Sequence, residues 1–103
     1  MKKNWQEQEI RNAKDFNGKR TPRSGGFWNM KGDVKSDKFL IENKITVKEN
    51  FTIQGKVWEK IKHEALMEGR VPFLSIEFGK KKHEVLVIDK DDFIEIWKKL
   101  REL

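Results

Sequence analysis

Cysteine and tyrosine are absent from the chain, histidine and proline each occur twice, and serine occurs three times. Without cysteine there is no disulfide framework and no thiolate metal site. His63 and His83 alone are too few for a histidine-based zinc site. A metal would have to be held by carboxylate and backbone oxygens, which favours a hard ion such as magnesium or manganese. Without tyrosine there is no tyrosine nucleophile. No Gly-x-Ser-x-Gly elbow and no GxxxxGK[ST] loop occur, which argues against serine hydrolases and P-loop nucleotidases. No apolar run approaches the ~20 residues needed to cross a bilayer. The basic start at Met1-Lys2-Lys3 is not followed by an apolar stretch, so no secretory signal is expected. A reducing cytoplasm is the expected setting.

What the chain has in quantity is charge. Charged residues make up 39% and hydrophobic ones 36%, and 23 Lys+Arg against 17 Asp+Glu leave a net charge of +6. Such a surplus attracts polyanions, nucleic acid foremost. At 103 residues one domain spanning 1–103 and one modest core are expected, and a second chain would help to complete a stable unit.

Element signals follow one another without a linker or repeat. A helix is expected over 4–17, with Trp5, Ile10, Ala13 and Phe16 as a loose apolar stripe and Asn17-Gly18 as its end. Residues 18–32, rich in glycine and basic side chains, read as a loop with a short strand at its start. A hairpin follows: Asp33-Val34-Lys35, a turn at 36–38, then the β-branched and aromatic run 39–47. Helical spacing of Ile53, Val57, Trp58, Ile61, Ala65 and Leu66 marks a helix over 51–68, with Gly69 at its C-terminus. Residues 71–78 and 83–88 form a second hairpin around the charged turn at Lys80-Lys81-Lys82. A last helix opens at Asp91-Asp92, whose charge suits a helix N-terminus. Its stripe of Phe93, Trp97 and Leu100 is most simply core, with a share available to a dimer partner. The order is α-β-β-β-α-β-β-α, an α/β domain with a central mixed sheet flanked by helices.

The chemistry concentrates in the first hairpin. Side chains alternate faces along a strand, so Leu40, Glu42, Lys44 and Thr46 share one face. Glu42 and Lys44 interrupt an otherwise apolar strand, where they need each other, a metal or solvent. Asp33 precedes Glu42 by nine positions, close enough in a tight hairpin to share one cation. A divalent ion would relieve the repulsion of the two carboxylates and polarise a phosphodiester. Lys44 would orient water or balance charge on the phosphate, and the backbone carbonyl of Asn43 offers a further ligand. The bland alternative is a surface hairpin with a cross-strand Glu-Lys pair, since Asp33-Val34-Lys35 matches [DE]-x-Lys equally well. In the loop, Lys19, Arg20, Arg23 and Lys31 surround Ser24-Gly25-Gly26, a composition suited to phosphate contacts. Phe27 and Trp28 would stack on a base or pack at a core edge.

The blocks Gly18-x-Arg20-x-Pro22-x-Ser24-Gly25-Gly26, Gly32-Asp33-Val34 and Phe39-Leu40-Ile41-Glu42-Asn43-Lys44-x-Thr46 resemble the PD-(D/E)XK nucleases. Phe51, Ile53, Trp58, Ile61, Glu64-Ala65, Gly69-Arg70 and Pro72 continue the match, which covers about residues 7–94. The resemblance is greatest to archaeal Holliday junction resolvases and small phage-type resolvase-like endonucleases, with Gly-Asp in place of Pro-Asp. It implies a restriction-endonuclease-like core and magnesium-dependent DNA cleavage, with Asp33, Glu42 and Lys44 as the centre. It also implies a helix-1 glutamate, Glu9 or alternatively Glu7, in the metal site, a homodimer, and branched DNA as substrate. A non-catalytic nucleic-acid-binding protein on the same scaffold, and a nicking or restriction-like nuclease on linear duplex, stay open beside this reading.

Overall fold

The computed structural model describes residues 4–21, 33–79 and 83–103, with the side chains of Asn4 and Trp5 excepted. Eight elements occur among the described residues: α1 (Asn4–Asp15), β1 (Lys19–Thr21), β2 (Asp33–Lys35), β3 (Phe39–Thr46), α2 (Gly55–Met67), β4 (Val71–Phe78), β5 (His83–Ile88) and α3 (Lys90–Arg101). The strands form one open mixed sheet in the order β1-β2-β3-β4-β5. Only β3 and β4 are parallel, from Phe39↔Val71 to Thr46↔Phe78, while the other three neighbouring pairs are antiparallel. A parallel pair cannot be joined by a tight turn and needs a crossover, which α2 supplies.

The sheet is covered on both faces. Ala13 and Phe16 bring the first helix and its end against Val34, Ile41 and Phe73. The rings of Phe16, Phe39 and Phe73 cluster there, with Phe39 and Phe73 stacked at 4.7 Å. On the other face, Ile61 and Trp58 of α2 pack with Leu74, Ile76 and Val87. Strand β4 is buried along most of its length, as expected for an interior strand with helices on both sides.

Two glycines fix the helix ends. Gly69, at φ +67°, terminates α2: its N–H donates to Leu66 O, and the Arg70 N–H donates to Ala65 O. This is the paired bonding of a left-handed cap, in which glycine carries no Cβ penalty. Gly18 lies so near β2 that a Cβ would sit 2.8 Å from the Lys35 carbonyl oxygen.

Two expectations from sequence are corrected. Helix α2 begins at Gly55 rather than near Phe51, because Gln54 is extended and the Phe51 ring packs into the α2-face core. The stripe of α3 is not core: Phe93, Trp97 and Leu100 are each about half exposed, and no α3 residue is buried. The cause is topological, since α3 follows the edge strand β5 and α2 already covers β3 and β4. Among the described residues no helix is long and apolar enough to cross a membrane.

Candidate metal centre

Pairing of Val34 with Ile41 and of Lys35 with Leu40 continues one step to set Asp33 opposite Glu42. Val34 and Ile41 point to the α1 face, so by alternation Asp33 and Glu42 point together to the α2 face. The tight turn is held by the Ser36 N–H donating to Phe39 O and the Phe39 N–H donating to Ser36 Oγ, both at 3.0 Å. Sequence reasoning placed Asp33 and Glu42 side by side, and so they are. β3 is the middle one of the five described strands, not one arm of a surface hairpin.

A third carboxylate joins them. Carboxylate oxygens of Asp33, Glu42 and Glu64 all lie within 4.8 Å of one another. Glu64 lies between Ile61 and Ala65, the two buried residues of α2, at a spacing that turns all three toward the sheet. A clamp one helical turn further on sets its position. Glu68 pairs with Lys35 at 2.9 Å and with Arg70 at 2.6 Å, and Arg70 Nε donates to Ser36 O at 2.8 Å. Thus the C-terminal end of α2 is tied to β2 and to the β2–β3 turn. Glu68 over Lys35 and Glu64 over Asp33 follow one register.

Glu42 is 6% exposed. Ionised carboxylates at such spacing repel by roughly 3–4 kcal/mol per pair at an effective dielectric near 20. A proton or a cation relieves that repulsion. Three carboxylates without sulfur or imidazole form a hard oxygen donor set, which suits a hard cation and suits a soft one poorly. Lys44 lies on the same face, its Nζ 3.7 Å from Glu42 Oε1, with its side chain partly exposed.

Asn43 points the other way. Its Oδ1 accepts from Asn12 Nδ2 at 2.7 Å in the interior, so its side chain is turned away from the trio. Glu9 is not among the three gathered carboxylates. It belongs to α1, on the opposite face, and Arg20 Nε donates to its Oε1 at 3.1 Å. Arg20 pairs with Val34 across the strands, which turns its side chain to that face and toward Glu9. Glu7 also lies on α1. Lys19 is exposed and sits opposite Lys35, on the face of the acidic trio. The candidate DNA-contacting residues Arg23, Ser24, Gly25, Gly26 and Lys31 lie outside the described residues, as do Phe27, Trp28 and the Lys80-Lys81-Lys82 turn.

Sequence reasoning matched Glu64 without giving it a metal role. The available signal was its place in the inward Ile61–Ala65 turn, a carboxylate where an apolar residue would be ordinary. No family model, no curated protein and no solved structure matches the chain.

Proposed function

We propose that this protein is a metal-dependent DNA endonuclease of the PD-(D/E)XK kind with a restriction-endonuclease-like core, acting on branched DNA such as a four-way junction. The observation that carries the reading is the gathering of Asp33, Glu42 and Glu64 on one face of the sheet, with the Lys44 ammonium beside Glu42. The DNA substrate draws support from the net charge of +6 and from exposed Lys19 on the face of the acidic trio. Preference for a junction rests on the sequence resemblance alone.

In this reading the three carboxylates hold a magnesium ion, with the Asn43 carbonyl as a further oxygen. When bound, the ion supplies Lewis-acid polarisation of the scissile phosphate and a more acidic water. The residues of the chain do the rest. Glu42, fixed in a central strand, holds its oxygens in place with little reorganisation, which is where electrostatic stabilisation gains most. Lys44 donates from Nζ to the attacking water or to a non-bridging phosphate oxygen, offsetting negative charge as it develops. Lys19 neutralises a backbone phosphate and so positions the duplex without reading its sequence. Glu9 and Arg20 tie α1 to the β1 edge of the sheet.

Purified protein with magnesium, offered four-way junction, nicked and linear duplex DNA, tests the proposal. Cleavage should require magnesium and fall at least about a hundredfold in Asp33→Asn, Glu42→Gln and Lys44→Ala. Junction binding unchanged by Glu42→Gln, with no cleavage by the unaltered chain, would identify a binding protein instead. Equal cutting of linear duplex would remove the junction preference.

A further inference from the structure

Where β4 ends and β5 begins, the α1 face of the sheet holds a polar cavity of about 260 Å³, lined by Arg11, Glu77, His83 and Glu84. Glu77 and Glu84 stand opposite each other in the strand register. The acidic trio lies across the sheet, on the α2 face, and shares no residue with this cavity.

The donors in this cluster do not match its acceptors. Arg11 Nη2 donates to Glu77 Oε1 at 2.8 Å, and Arg11 Nε donates to Glu84 Oε1 at 2.9 Å. Glu84 Oε2 accepts from Ser75 Oγ at 2.8 Å and from Gln8 Nε2 at 3.3 Å. That leaves Glu77 Oε2 and Gln8 Oε1, both buried and without a donor among the described residues. The two residues are 1% and 0% exposed. Buried polar oxygens nearly always have a donor. Two that lack one, in a single cluster that borders a cavity, mark a place for a donor from outside the chain.

Charge and geometry say which donor. Two carboxylates against one guanidinium leave one negative charge in excess. Water would supply hydrogens but leave that buried charge uncompensated, and an anion would add to it. A divalent ion takes about six or more oxygens, and among the described residues Glu77, Glu84 and His83 do not gather closely enough to hold one. A guanidinium grips both oxygens of one carboxylate, yet Glu77 has one oxygen open and both of Glu84 are taken. An ammonium is a point charge with three rotatable donors, which suits single oxygens on different side chains. The cavity falls just under the range of ~300–1,000 Å³ usual for small-molecule sites, so it admits a short amine.

We infer that the Arg11–Glu77–Glu84 cavity binds a small alkylammonium ion, whose N–H groups donate to Glu77 Oε2 and Gln8 Oε1. The ion completes the Glu77 carboxylate, with Arg11 on one oxygen and the amine on the other. This site stands on its own hydrogen-bond accounting, independently of any cleavage.

An amide NMR titration of the full chain with methylammonium chloride, against potassium chloride at equal ionic strength, tests it. The Gln8 side-chain NH2, the Arg11 Nε–H and the Glu77 and Glu84 backbone amides should shift and saturate in the millimolar range. Potassium should not reproduce those shifts. Glu77→Gln should weaken binding about tenfold or more, because it removes the charge from a charge-assisted hydrogen bond. The spread of the amide spectrum reports whether that variant folds. Should it not, Glu84→Gln decides: it cancels the excess charge from a side chain that is 25% exposed, and should also weaken binding about tenfold. Saturating magnesium should leave the titration unchanged, so loss of the nuclease reading would not touch this one. No saturable shift would leave the cavity to water and overturn the proposal. Equal shifts with potassium, shifts centred on Glu42 and Lys44 instead, or an affinity indifferent to both variants would overturn it too.

Discussion

Asn12 Nδ2 lies 2.7 Å from Asn43 Oδ1 and 3.1 Å from Ser75 Oγ, with all three residues buried. Asn43 stands between Glu42 and Lys44 on the same strand. A helix on one face of the sheet therefore grips the strand whose other face carries the acid and the lysine. Gln8, one turn earlier, reinforces the grip, with Nε2 donating to Lys44 O at 2.9 Å and to Ser75 O at 3.2 Å.

Removing the Asn12 donor should therefore cost stability. Asn12→Ala strands Asn43 Oδ1 in the interior, and a buried polar group left unmade costs about 1–3 kcal/mol. Urea unfolding should show the midpoint falling with an unchanged slope. Asn12→Ala with Asn43→Ala should lose less than the sum of the two single changes, because they share one interaction.

Glu64 should affect stability in opposite directions with and without metal. In chelator, Glu64→Gln removes one of three mutually repelling charges and should raise the melting temperature slightly. In magnesium the wild type should gain stability by binding linkage, while Glu64→Gln gains less. Thermal melts with and without saturating magnesium check both signs. A melting temperature indifferent to magnesium in wild type would remove the metal-holding role.

The junction between α2 and α3 should respond to acid and to base. Lys62 Nζ contacts Asp89 Oδ2 at 2.8 Å, and Asp89 also caps α3 by accepting from the Asp91 N–H. The bond from Lys62, then that from the Asp91 N–H, hold the Asp89 carboxyl below its ordinary value of 3.8, and Asp89 holds the Lys62 ammonium above its ordinary 10.5. The Asp89 contribution is full above its unfolded value and is lost as pH falls through the lowered one. The Lys62 contribution is full below its unfolded value and is lost as pH rises through the raised one. Asp92 behaves oppositely to Asp89, because burial and then the Asp89 charge push its carboxyl up, so its ionisation opposes folding. Melting temperature followed from pH 6 down to about pH 2.5 should fall less steeply in Asp89→Asn than in wild type.

Arg11 bridges two glutamates that stand directly opposite each other on β4 and β5. Its Nη2 lies 2.8 Å from Glu77 Oε1 and 2.9 Å from Glu84 Oε1. The Glu77 side chain is 2% exposed, that of Arg11 37%. Arg11→Leu leaves the Glu77 charge buried beside a like charge, a change that costs 3–5 kcal/mol when a pair is fully interior. Solvent reaches the Arg11 side, so roughly 2 kcal/mol is expected, measured by denaturant unfolding. Glu77→Gln in the same background should recover most of it.

The order of the eight described elements was legible in the sequence because the longer ones carry distinct periods, helical spacing in 4–17 against alternation in 39–47, while boundaries such as the start of α2 were not. Alternation along β3 also gave the shared face of Glu42 and Lys44, and the short turn gave Asp33 beside them. Other features depend on how elements pack, which spacing does not reveal. Glu64 entered the centre because the Glu68 clamp fixes where α2 lies over β2. Glu9 was drawn to Arg20 by the register of β1, a strand only three residues long. The α3 stripe looked like core because amphipathicity marks a face to be covered without saying by what.

The parallel pairing of β3 with β4 has a consequence for the order of events during folding. Asp33 and Glu42 meet within a local hairpin, which closes cheaply and early. Glu64 arrives only when the chain has wrapped a complete crossover and docked β4 beside β3, a contact of high sequence separation and slow formation. A half-folded chain has the charge to cling to a polyanion but lacks the third carboxylate. The three carboxylates are therefore gathered only in the finished sheet.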